Sequence, residues 1–190
     1  MASKLSGRCQ AVAYHQQRAV VDVRREGGVL MLQPPVRGFN RSVLSRLRQE
    51  ASLSIPELGV LADMPASTLS RWESGAASPT PECLRRVADA MGVATAVFVD
   101  TPPEERTLAD LRSLAGFSQR ALAKHLGIPF KTLAKLESGL LDLDADRARV
   151  LAQTFGVSVP DLVAAYKRGG IRVLRQRIDE LESFLVAASA

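Results

Sequence analysis

The chain repeats itself. Moving the sequence 64 places along itself brings Leu44 onto Leu108, Leu47 onto Leu111, Arg48 onto Arg112, Ala51 onto Ala115, Ser54 onto Ser118 and Leu58 onto Leu122, without a gap. The match runs on through Pro65 and Pro129, Thr68 and Thr132, Leu69 and Leu133, and Glu73-Ser74-Gly75 and Glu137-Ser138-Gly139, to Gly92-Val93 and Gly156-Val157. Two copies of one unit of roughly 60 residues is the economical account. A unit so small must bury a compact core, and a chain that is 46% hydrophobic but only 5% aromatic must fill it with Leu, Val and Ala. All-α is the expected class.

Within each unit the apolar spacing is helical and the breaks are frequent, which predicts about five short helices. Helix one covers about 41 to 51, with Val43, Leu44 and Leu47 inward. Ser54 begins helix two, where its hydroxyl and Glu57 can close a capping box, and Leu58 and Leu61 are expected to face the core. Ser118 takes the same place in the second copy, followed by Leu122 and Leu126. Gly59 and Ala123 are small enough for the next helix to cross closely. Asp63 and Gly127 suit a left-handed turn, Pro65 and Pro129 pre-set helix three, and Gly75 and Gly139 stop it. Its inward residues are Leu69 and Trp72 in one copy, and Leu133 and Leu136 in the other. Helix four carries Leu84, Val87, Ala88 and Met91, or Ala148, Leu151, Ala152 and Phe155; a fifth holds Val97 and Phe98, or Leu162, Val163 and Tyr166.

Ser118-Gln119, Leu122-Ala123, Gly127-Ile128, Leu133 and Glu137-Ser138-Gly139 make the second unit similar to the Cro-type, or xenobiotic-response-element-type, helix-turn-helix of lambda-repressor-like regulators. The first unit resembles it too, with Ile55 where the family has Gln and Asp63 where it has Gly. The resemblance spans about residues 41 to 166. It implies two tandem five-helix domains in which helix three enters the DNA major groove and the start of helix two touches the backbone. On that reading the outward residues of helix three are the candidates: Ala66, Ser67, Ser70 and Arg71 in the first copy, and Phe130, Lys131, Ala134 and Lys135 in the second. Arg71 suits a bidentate contact to guanine, Ser67 and Thr68 can reach bases or phosphates, and Lys131 and Lys135 can do either, with Thr132 beside them. Gln119 matches the backbone-touching position. Phe130 suits a thymine methyl or a docked protein.

The formal charge is +5. Counted along the chain, the excess lies in the ends: six cations against two anions over 1–40 and five against three over 167–190, with the repeats near balance. Flanking arms are therefore the expected source of phosphate contact, Arg37 and Arg41 among them after an extended Pro34-Pro35 stretch. Asp142, Asp144 and Asp146 follow the second helix three, where negative charge opposes phosphate unless it points away; Asp144 can cap helix four. Residues 1–40 read as an arm, 41–100 and 101–168 as the two domains, and 169–190 as a further amphipathic helix. Thr101-Pro102-Pro103-Glu104 reads as a cap with a proline start, so the linker should be short and structured. Two units on one chain can then set two recognition helices about 34 Å apart on one face of the duplex.

Gly169-Gly170 should end the last domain helix, after which Ile171, Leu174, Ile178, Leu181 and Leu185 follow the a and d spacing of a coiled coil. In a parallel homodimer Arg177 at g faces Glu182 at e of the partner; the alternative is a helix folded back on the second domain. At the other end Ala19–Val23 and Val29–Leu32 flank Arg24-Arg25-Glu26-Gly27-Gly28 as in a hairpin, and residues 1–28 are expected to pack little apolar surface and to be dispensable. The same Arg-Glu-Gly-Gly is also what a translated purine-rich ribosome-binding sequence gives, with Val29 or Met31 as the true start.

No activated nucleophile, carboxylate pair, phosphate-cradling loop or metal cluster stands out, and Cys9, Cys83, His15 and His125 lack ligand spacing, so neither an enzyme nor a cofactor is expected. No apolar run approaches the roughly 20 residues of a membrane span. The expectation is a cytoplasmic, bacterial or phage-encoded, nucleoid-associated DNA-binding regulator, foremost a repressor of a phage or mobile element. Beyond the two units little room is left for a ligand sensor or a self-cleaving Ser-Lys pair. The alternatives are an antitoxin that binds a toxin through one unit or the C-terminal helix, and a protein-docking module that uses Phe130 and the acidic cluster.

Overall fold

The computed structural model describes residues 34–188, the side chains of 185–188 excepted. Expectations for residues 1–33, the hairpin, Cys9 and His15 included, and for the Leu185 side chain lie outside the described residues. What is described is helical. The first unit comprises α1 (Arg41–Glu50), α2 (Ile55–Leu61), α3 (Ala66–Ser74), α4 (Pro81–Ala90) and a 3₁₀ turn, Thr95–Phe98. A second 3₁₀ turn, Pro103–Glu105, leads to α5 (Leu108–Leu114), α6 (Gln119–His125), α7 (Phe130–Glu137), α8 (Ala145–Phe155) and α9 (Val159–Ala188). Among the described residues there is no strand; the one extended pairing is an isolated bridge between Phe39 and Val99.

Polar side chains at the helix starts fix the boundaries. The Ser54 hydroxyl accepts from the Glu57 amide and the Glu57 carboxylate accepts from the Ser54 amide, so each side chain satisfies the other residue's otherwise orphaned backbone donor. Asn40, Thr80, Ser118 and Asp144 cap α1, α4, α6 and α8 in the simpler way. The cap expected at Thr101 is instead at Thr107, which forms a capping box with Asp110. Pro102 gives the intervening turn no side-chain cap, and the aligned helix, α5, starts only after it. Asp63 and Gly127 turn the chain at φ of 50° and 64°.

Each unit encloses its own core. Leu44, Leu58, Leu69, Leu84 and Phe98 centre the first, and Leu108, Leu122, Leu133, Leu151 and Leu162 the second. Val36, expected in a free arm, belongs to the first core, and its amide donates to the Pro79 carbonyl. Leu61 does not face inward as expected. The i,i+4 partner of Leu58 is Ala62, which is buried, and Leu61 lies on the opposite side of Leu58, about 100° round the helix from Ala62, in solvent. Gly59 is buried where α2 meets α3; a Cβ there would stand 2.8 Å from the Met64 carbonyl oxygen.

The linker is tied down. Arg37 donates to both carboxylate oxygens of Asp110, at 3.0 and 2.7 Å, and to the Glu105 carbonyl. Arg106 donates to the Thr101 carbonyl, and Arg168 of α9 to the carbonyl of Arg106. Burial alone would push the Asp110 carboxyl up, but the bonds from Arg37 and Thr107 outweigh it and hold the group below its ordinary value. The stability this clamp contributes is therefore present above the ordinary carboxylate range and lost as the pH falls through the lowered value.

Gly169-Gly170 does not end a helix. α9 runs unbroken through both, because they lie where it crosses the end of α7: a Cβ on Gly169 would stand 2.8 Å from the Glu137 carbonyl oxygen, and one on Gly139 2.6 Å from Gly170 Cα. Close approach, not termination, selects glycine here. The fifth domain helix and the C-terminal helix are thus one element, packed on α5, α7 and α8 through its first half and exposed from Ile171 to Phe184. Over those residues it does not fold back on the second domain. Gly169→Val should cost about 1–3 kcal/mol in urea denaturation, through overpacking against α7. An increase in stability, as expected from removing a glycine from an open helix, would show that the crossing tolerates a side chain.

Candidate nucleic-acid interface

The two helix-turn-helix pairs are α2–α3 and α6–α7. On α3 the buried Leu69 and Trp72 set the inner face, which turns Ser67, Ser70 and Arg71 into solvent with Thr68 half-buried at the edge. On α7 the buried Leu133 and Leu136 leave Phe130, Lys131 and Lys135 exposed, with Thr132 and Ala134 half-buried. Lys131 and Lys135, one turn apart, form a row. The polar members and Phe130 lie outward as expected, whereas Ala66 and Ala134, also expected outward, are half-buried.

The inner end of each recognition helix is pinned by an ion pair that sequence reasoning missed. Arg48 of α1 donates to both Glu73 oxygens, at 2.7 and 2.9 Å, and to the Leu53 carbonyl. Its hydrogen bond with Glu73 raises its already high pKa. Arg112 of α5 repeats the arrangement, donating to Glu137 at 2.6 Å and to the Phe117 carbonyl at 2.7 Å. One side chain thus binds helix one to the end of helix three and to the loop before helix two. The signal was present: both Arg and Glu recur in the repeat, 25 residues apart each time.

This latch bears on Gln119, whose side-chain amide donates to the second Glu137 oxygen at 2.7 Å and so packs into the domain. In the first unit the place of Gln119 is taken by Ile55, and the latch has two members only. Arg41 and Arg37 are also engaged within the protein. Arg41 donates to the Ser74 carbonyl at the end of α3, at 2.8 Å, and Arg37 clamps Asp110. The Arg120 guanidinium, from α6, stands 5.8 Å from the centroid of the Phe130 ring, over its face. Of the acidic cluster, Asp144 pairs with Arg147 and Asp146 with Arg149. Among the described residues no group of His, Cys, Asp or Glu is placed to hold a metal ion, and no helix is long and apolar enough to cross a membrane.

Comparison with known families agrees with this geometry. Residues 42–98 match a family described as helix-turn-helix domain, and residues 108–162 match a second, described as helix-turn-helix. No curated protein and no solved structure matched the chain. The two matches fall on the two repeats, so the chain carries two helix-turn-helix domains in tandem, a domain type that points to a DNA-binding regulator rather than an enzyme.

Proposed function

We propose that the chain is a Cro-type, sequence-specific regulator that reads the major groove of double-stranded DNA with the outer row of a recognition helix, and that it acts as a homodimer joined through α9. The observation that carries the DNA reading is a rigid base under an exposed polar row. Arg71, Lys131 and Lys135 project from helices whose inner faces are buried and whose ends are latched to helix one. A reading head held this firmly loses little conformational entropy when it docks. Ser67, Thr68, Ser70 and Arg71 would contact bases or phosphates from α3, and Phe130, Lys131, Thr132 and Lys135 from α7. Repression of a phage or other mobile element is the version proposed first. The reading in which one unit docks a protein, as an antitoxin would, draws support from the end of α2, where two apolar side chains, Val60 and Leu61, are exposed.

Selection of bound duplexes from a random pool should enrich a defined sequence. On that site a base-reading Arg71 replaced by Ala should cost roughly 1–3 kcal/mol and relax preference at one position, whereas Lys135→Ala should weaken all sequences alike. A pool that enriches nothing, while the protein remains folded, would rule out sequence-specific reading.

A further inference from the structure

We infer that the two units divide the work, with α6–α7 supplying the chain's phosphate-binding surface and α2–α3 supplying little of it. This rests on the DNA reading above and adds which copy performs it. Between residues 54 and 76 the first unit has one cation, Arg71, against the anions Glu57, Asp63 and Glu73, a net −2; the matching stretch, 118 to 140, has Arg120, Lys124, Lys131 and Lys135 against Glu137 alone, a net +3. Position by position, Arg120 replaces Pro56, Lys124 replaces Val60 and Lys131 replaces Ser67.

Geometry sharpens the contrast. Arg120 and Lys124 are one turn apart on α6, Lys131 and Lys135 one turn apart on α7, and the contact of Arg120 with Phe130 sets the two rows side by side. The single anion of the stretch, Glu137, is buried and spent on Arg112 and Gln119, so it does not oppose phosphate. In the first unit Glu57 and Asp63 are exposed, the latter bonded by Arg86, and Val60, at 82% exposure, presents hydrocarbon where the second unit presents Lys124. The acidic residues after α7 change little, because Asp144 and Asp146 are already paired and Asp142 alone is left. Duplex DNA carries one charge per about 1.7 Å of axis, so its condensed counterions are released chiefly by the face that holds clustered cations.

The test is the salt dependence of binding to a labelled random-sequence duplex, measured by fluorescence anisotropy with the full chain. Each lost phosphate contact flattens the slope of log affinity against log salt by about 0.9. Lys124→Ala, Lys131→Ala and Lys135→Ala combined should flatten it by about 2.7, and Arg71→Ala by no more than about 0.9. All four side chains are exposed, so circular dichroism should show the fold intact. A triple variant that keeps the wild-type slope, or an Arg71→Ala change that matches the triple loss, overturns the division. A wild type that does not bind the duplex at any salt concentration overturns the DNA reading beneath it as well, which separates the two failures.

Discussion

Glu137→Ala is expected to destabilise the second domain by about 3–5 kcal/mol, the range for removing one partner of a buried ion pair. The Arg112 and Glu137 side chains are each only 6% exposed, so the variant leaves a guanidinium in the core that keeps the Phe117 carbonyl but has lost its counter-charge. Gln119 loses its acceptor in the same step. Glu73→Ala in the first unit should cost less, because Arg48 and Glu73 are each 12% exposed and water can partly replace the missing carboxylate. The chain's single tryptophan, Trp72, lies in the first core and so reports on that unit, whereas circular dichroism reports on both. In urea, Glu137→Ala should bring the loss of helix forward, ahead of the change in Trp72 fluorescence. Replacing both partners, Arg112→Met with Glu137→Leu, should recover most of the loss. A single variant within about 1 kcal/mol of wild type would mean that the pair is solvated and holds nothing.

What the sequence revealed and what it hid follow from the range of the forces involved. The Ser54–Glu57 capping box, the turns at Asp63 and Gly127 and the small residues at 59 and 123 were legible because each is decided within a few residues by backbone hydrogen bonding or left-handed geometry. The inner faces of α3 and α7 were legible from the helical spacing of Leu69 and Trp72, and of Leu133 and Leu136. Leu61 was misread because an apolar residue was counted inward although the i,i+4 row from Leu58 runs to Ala62. Gly169-Gly170 was misread because the local tendency of glycine to end a helix lost to a tertiary demand, the crossing of α9 over α7. The Arg–Glu latches and the Arg37–Asp110 clamp join residues 25 and 73 positions apart, so only a folded chain shows them. With the bond from Arg41 to the Ser74 carbonyl, they give Gln119, Arg37 and Arg41 partners within the protein that the sequence did not show, while Lys131 and Lys135 of α7 are exposed.

Leu174→Asp with Leu181→Asp is expected to convert a dimer to a monomer, halving the mass measured by light scattering, while circular dichroism and Trp72 fluorescence show both domains still folded. Ile171, Leu174, Ile178 and Leu181 are between 49% and 65% exposed on a helix that packs nothing beyond Gly170. Charges on this stripe therefore have no core of their own chain to disrupt. The partner proposed is a second copy, parallel to the first. β-Branched Ile at a, with Leu at d, favours two parallel strands, and Arg177 at g then meets Glu182 at e of the partner. Arg177 already leans toward Glu180 at 3.2 Å, an exposed pair that can exchange for the interhelical one at little cost. Because α9 is one helix from the buried Leu162 and Ala165 to the stripe, dimerisation through it sets the two-fold axis beside the second domain. The two basic α6–α7 faces would then lie nearest that axis and read an inverted repeat, with the first domains outside. The double variant should accordingly lose affinity for a full inverted repeat but keep that for a half-site. A wild type that scatters as a monomer at micromolar concentration, or a double variant that stays dimeric, would show that this stripe does not join two copies.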